Sequence, residues 1–146
     1  LVWRALGYRW HAEAGEWRSH DVWPAWRRRY PTPPDFIGIT RVHTREVDLP
    51  VKLAMQSLHK TVAPRYKNAN FEFLEPLGWK GFQINELTPN RVRRAACSCF
   101  LLYYREVLFG KTPEQVREQY RESMAKVEGI MDTLGPAARM YYKHRI

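Results

Sequence analysis

Two cysteines stand two apart in Cys97-Ser98-Cys99, and thiolates at that spacing can share a metal ion. A structural zinc site takes four ligands, however, and His11, His20, His43, His59 and His144 are scattered without the spacing that would supply the others. The pair lies in the most apolar helical stretch of the chain, where free Cys behaves as a small hydrophobe, so buried and reduced thiols are expected and no metal or cofactor is assigned. Ser19-His20-Asp21 spells a catalytic triad, but adjacent residues cannot present their side chains in a relay. There is no glycine-rich phosphate loop, no His-Glu-x-x-His and no nucleophile elbow. Glu114, Glu118 and Glu122 interleave with Arg117 and Arg121, which is the pattern of a solvated, ion-paired helix face. The chemistry on offer is recognition, and the expectation is a protein that is not an enzyme.

Recognition chemistry is concentrated near the N-terminus. Five of the six tryptophans fall in the first 30 residues, and Trp3, Trp10 and Trp17 recur every seven residues, which would place them on one stripe of a helix over 2–14. The segment Trp23-Pro24-Ala25-Trp26-Arg27-Arg28-Arg29-Tyr30 follows, and the prolines from 24 to 34 predict extended or polyproline geometry. Guanidinium forks and large aromatic faces are the groups enriched at interface centres, because they bury much area and make planar contacts. Trp3, Trp10, Trp17, Trp23, Trp26, Arg27, Arg28, Arg29 and Tyr30 are therefore the candidate partner-binding residues, on an interaction arm spanning 1–45. Arg91, Arg93, Arg94, Lys143 and Arg145 are candidates for contact with an anion, RNA or lipid headgroup.

The remaining residues, 46–146, are expected to form one small helical domain that positions this arm. A helix over 50–63 places Val51, Met55, Leu58 and Val62 on one face, with Pro50 in its first turn and Pro64 as its stop. Phe71 and Phe73, then Phe82 and Ile84, alternate with polar neighbours and permit a short β-hairpin over 70–86. Thr88-Pro89 and Thr112-Pro113 each set a hydroxyl cap before a proline, and Gln115 completes a capping box at the second. Helices over 89–109 and 113–134 follow, joined so tightly at Gly110-Lys111 that an antiparallel hairpin is expected. Gly135-Pro136 would end the second, and a last basic turn is expected between Ala137 and His144. The fold class is mainly α.

Of 146 residues, 45% are apolar and 27% charged, near globular averages, and the net charge of +9 comes mostly from 17 Arg against 7 Lys. The charge sits at the ends: residues 1–45 carry eight basic and four acidic groups, 46–90 five of each, and 91–146 eleven and six. An anionic partner held by the ends of the chain is the corresponding expectation. The longest charge-free apolar stretch in the expected helices, Ala95 to Tyr104, is half the length a membrane span requires. A first residue Leu1 and an Arg-rich composition would suit a mature form released from an organellar presequence.

Leu102-Tyr103-Tyr104-Arg105-Glu106, followed by Val116-Arg117-Glu118, resembles the Leu-Tyr-Arg helical proteins that occur as accessory subunits and assembly factors of mitochondrial respiratory complexes. An extra Tyr interrupts the tripeptide and the motif falls late in its helix, so no functional residue is carried over. The expected role is a non-catalytic accessory subunit of a mitochondrial energy-transducing membrane complex, a respiratory complex or ATP synthase. It would lie peripherally at the inner membrane or in the matrix, against other protein subunits and anionic lipid headgroups. The alternative is a structural protein of the mitochondrial ribosome or another organellar ribonucleoprotein, contacting RNA through its Arg clusters.

Overall fold

The computed structural model describes residues 1–38 and 44–134 and divides the chain into two units, 1–109 and one beginning at Gly110. The class is mainly α: the described residues form six helices, α1 Val2–Ala5, α2 Pro24–Arg29, α3 Arg45–Thr61, α4 Ala69–Leu74, α5 Pro89–Tyr103 and α6 Pro113–Leu134, with one two-stranded antiparallel sheet, β1 Arg9–His11 and β2 Glu16–Arg18.

The core of the first unit forms where α3 meets α5. Thr44 caps α3 by accepting from the Val47 amide at 3.4 Å, and Thr88 caps α5 by accepting from the Arg91 amide at 3.2 Å. Val51, Met55 and Leu58 on α3, with Val62 just beyond it, are buried, as their spacing predicts, and Ala54 joins them. Cys97 and Phe100 of α5 and Phe36 of the preceding loop complete the cluster. The start of α3 differs from the expectation. Pro50 is not in the first turn but inside the helix. Asn70 ties α4 to α5: its amide donates to the Ala95 carbonyl at 2.9 Å and its Oδ1 accepts from Ser98 at 2.8 Å.

The N-terminal segment is part of this core and not an appended arm, which corrects the division at 45/46. Tyr8 is fully buried, and Val2, Trp3, Leu6, Trp26 and Tyr30 pack on the cluster. The helix expected over 2–14 is one turn long. Gly7 adopts φ +102, and a Cβ there would collide with the Asp21 carbonyl, so the chain turns instead of continuing. Residues 9–18 then form a hairpin in which Trp10 faces Trp17 and Arg9 faces Arg18. The Pro-rich segment is also corrected: Pro24 occupies the first position of α2, where its missing amide costs nothing.

Residues 70–86 form no β-hairpin. They make α4, a 3₁₀ turn over Glu75–Leu77 closed by Gly78 at φ +89, and a second 3₁₀ turn over Ile84–Glu86. The alternation of Phe71 and Phe73 is not an alternation of burial, because both are exposed while Ala69 and Asn70 face inward. Beyond Tyr103 the chain widens into a π turn over Tyr104–Leu108, in which the Phe109 amide donates to the Tyr104 carbonyl at 2.7 Å. α6 starts where its cap predicts, and Thr112 and Gln115 exchange both capping-box hydrogen bonds, at 2.9 and 3.3 Å; the expected stop at Gly135-Pro136 lies outside the described residues. α6 belongs to the second unit. The basic turn expected over 137–144 lies outside the described residues.

Candidate functional site

The N-terminal recognition residues divide into two groups. Trp3, Trp26 and Tyr30 are half-buried and spend their polar atoms inside the fold. Trp3 Nε1 donates to the Pro34 carbonyl at 2.8 Å, Trp26 Nε1 donates to the Tyr8 hydroxyl at 3.2 Å, and the Tyr8 hydroxyl donates to the Tyr30 carbonyl. The Tyr30 and Ser57 hydroxyls share a hydrogen bond at 3.0 Å. Trp17 is half-buried between Trp3 and Trp10, with ring centroids at 5.3 and 5.6 Å. Trp10 and Trp23 are the two whose rings reach solvent. The three tryptophans do meet, by hairpin register and not by helical periodicity.

The arginines divide in the same way. Arg27 donates to the His20 carbonyl at 3.2 Å, Arg29 stands 5.5 Å over the Tyr30 ring, and Arg28 and Arg94 are exposed. Arg91 is exposed but committed, donating to the Glu86 carbonyl at 2.7 Å and standing over Phe82. Arg93 is buried: Nη2 meets Asp48 Oδ1 at 2.6 Å and Nη1 donates to the Ile37 carbonyl at 3.3 Å. That corrects its reading as an anion contact, because a charge already paired inside the fold cannot neutralise a phosphate. Lys143 and Arg145 lie outside the described residues.

The largest recognition feature was read in the sequence only as a possible hairpin. Phe71, Phe73, Leu74, Leu77, Phe82, Ile84 and Leu87 are all exposed, Leu77 by 81% and Ile84 by 90%. Two of them flank Trp79 in an aromatic cluster, Phe71 tilted against it at 5.0 Å and Phe82 edge-on at 5.6 Å. Arg91 and Arg105 stand over the outer faces of Phe82 and Phe73. Seven large apolar side chains are thus open to water within one short segment. Its signal in the sequence was the crowding of large apolar residues into a Gly- and Pro-punctuated stretch, where no regular element could bury them all.

Among the described residues no three His, Cys, Asp or Glu side chains are grouped to hold a metal ion. His20 Nε2 lies 3.3 Å from Asp21 Oδ1 at the exposed surface, where Asp21 also faces Arg9 at 3.6 Å. Cys97 and Cys99 are free and buried, and Cys99 donates to the Lys67 carbonyl at 3.4 Å. Burial, and then the Asp35 charge, push the Cys97 thiol from 9.0 up to about 11. Burial likewise raises Tyr8 and Tyr103 above 10.0. Each of these acids binds its proton more tightly folded than unfolded, so the Cys97 contribution is intact below pH 9.0 and lost as pH rises toward about 11, and those of the two tyrosines are intact below 10.0 and lost above it. Far-UV circular dichroism is expected to show alkaline unfolding in that window. Iodoacetamide at neutral pH should label neither cysteine until denaturant is added, since Cys97 holds its proton and the thiolate is the nucleophile, while Cys99 is shielded by burial.

A family model described as a domain of unknown function, DUF1823, matches residues 1–106. The chain belongs to the DUF1823 family. The match coincides with the first structural unit and begins within the Trp-rich segment, so the DUF1823 domain contains the N-terminal hairpin, and most of the residues beyond it belong to the second unit. A solved chain described as a solution NMR structure of a protein is 38% identical, with 71% of this DUF1823 chain and 74% of that chain covered and a TM-score of 0.49. No curated protein matches.

Proposed function

We propose that this DUF1823 protein is a non-catalytic accessory subunit, held in a larger assembly through the apolar surface built from residues 71–87. The observation that carries the reading is the exposure of Leu77 and Ile84 in the segment that holds the Phe71-Trp79-Phe82 aromatic cluster. A surface left open at that cost in apolar hydration is matched to a partner and not to water. The assembly proposed is a mitochondrial energy-transducing membrane complex, approached from its aqueous side, and the basis for that choice is compositional: Arg over Lys and charge concentrated at the chain ends. No described helix is long and apolar enough to cross a membrane, so attachment through other subunits or headgroups fits the reading.

The test is migration of the full-length tagged chain on native gels of detergent-solubilised mitochondria, beside the Leu77→Glu/Ile84→Glu double variant. Both positions are exposed, so the double variant should keep its melting temperature, with stability changed by no more than about 0.5 kcal/mol per site. It should also leave the high-mass band for the monomer position. Co-migration of both forms would sink the role given to this surface. Co-sedimentation with ribosomal RNA that collapses on nuclease treatment would replace the membrane-complex reading with the ribonucleoprotein one.

A further inference from the structure

A cleft of about 680 Å³ lies within the first unit, lined by α1, β1 and the end of α5 through Arg4, Ala5, Arg9, Trp10, Leu101 and Tyr104. Its volume is that of a small-molecule site. Tyr104 starts the π turn, and its ring is fixed between Phe100, stacked at 6.5 Å, and Phe109, edge-on at 5.9 Å. Single π turns recur at functional sites because they re-aim one side chain out of helical register. Across from it, Trp10 is half-exposed and is braced by its edge contact with Trp17.

The two guanidiniums of the cleft are in different states. Arg9 is spent: Nη1 donates to the Arg4 and Tyr8 carbonyls at 2.9 and 3.1 Å, and Nε faces Asp21 at 3.6 Å. Arg4 has an exposed side chain, and among the described residues its guanidinium makes no hydrogen bond or ion pair. Among the described residues no carboxylate lines the cleft. Apolar and aromatic walls with one uncompensated planar cation are complementary to a molecule that has an apolar body and one anionic head.

We infer that this cleft binds an anionic amphiphile, its carboxylate or phosphate on Arg4 and its acyl or aryl body against Leu101, Tyr104 and Trp10. Such a head can belong to a free amphiphile or to a lipid in a bilayer, and the two arms of the test separate them. In the first, decanoate displaces anilinonaphthalene sulfonate from the full chain, read by fluorescence, with decanol and decyltrimethylammonium as neutral and cationic controls. Decanoate should bind more tightly than either, and Arg4→Ala should weaken it roughly tenfold, the loss of one charge-assisted contact. Trp10→Ala should weaken it several-fold, while Arg4→Ala keeps the parental melting temperature and Trp10→Ala stays cooperatively folded with a melting temperature lowered by no more than a few degrees. In the second arm, Arg4-dependent co-sedimentation with phosphatidylglycerol vesicles would place the head in a bilayer, and decanoate binding without co-sedimentation would make the ligand a free amphiphile. Equal displacement by the cationic control, or unchanged decanoate affinity in Arg4→Ala, would overturn the inference and leave only apolar adsorption.

Discussion

Replacing Tyr8 with alanine is expected to destabilise the first unit by about 4 kcal/mol, the scale of truncating a buried aromatic ring. The ring is fully buried, and its hydroxyl both accepts from Trp26 Nε1 and donates to the Tyr30 carbonyl. The loss therefore adds a cavity to two orphaned polar groups, and it is a large fraction of the 5–15 kcal/mol that typically holds a domain of this size together. Tyr8→Phe separates the two parts: it keeps the ring and should cost about 1–2 kcal/mol through the unpaired Trp26 and Tyr30 groups. Trp10→Ala, at a ring 49% exposed, should shift stability by less than about 1 kcal/mol. Urea unfolding followed by far-UV circular dichroism measures all three. If Tyr8→Ala left the transition of α3 and α5 where it was, the N-terminal segment would be the separable arm that its composition suggests.

That segment shows where the sequence was ambiguous in physical terms. A spacing of seven puts Trp10 and Trp17 on one stripe of a helix, but it also puts them opposite each other in a hairpin whose turn lies midway between them. Gly7 and Gly15, both at positive φ, decide for the hairpin. The tertiary role of Trp26 was not visible either, because residue type does not tell whether an indole N–H meets a partner protein or a hydroxyl eighteen residues back in its own chain. Local signals fared better. Thr112, Pro113 and Gln115 act within one turn, so α6 starts where they place it. The core faces of α3 and α5 were legible because burial there follows the helical period. The apolar surface of 71–87 was not, since exposure of Leu77 and Ile84 depends on what the rest of the chain leaves uncovered.

Arg93 was legible by the same period and was overlooked: it precedes Cys97 by four residues and Phe100 by seven, on the buried face of α5. Its side chain is 10% exposed against an Asp48 side chain that is 34% exposed. Asp48→Ala would leave a cation facing only the Ile37 carbonyl, and the expected loss is about 2–3 kcal/mol, below the 3–5 of a fully buried pair because water still reaches the carboxylate. Arg93→Met leaves the half-solvated anion, which water can screen, and should cost about 1–2 kcal/mol with the methionine occupying the space beside Gly38 and Val51. The double variant should be more stable than Asp48→Ala alone, because an apolar side chain needs no counter-charge. Urea midpoints across the four proteins of this cycle give the coupling directly. An anion-contact role for Arg93 predicts the opposite pattern, in which Arg93→Met weakens salt-sensitive association with an anionic partner and leaves the urea midpoint unmoved. The 2.6 Å pairing with Asp48 favours a change in the midpoint.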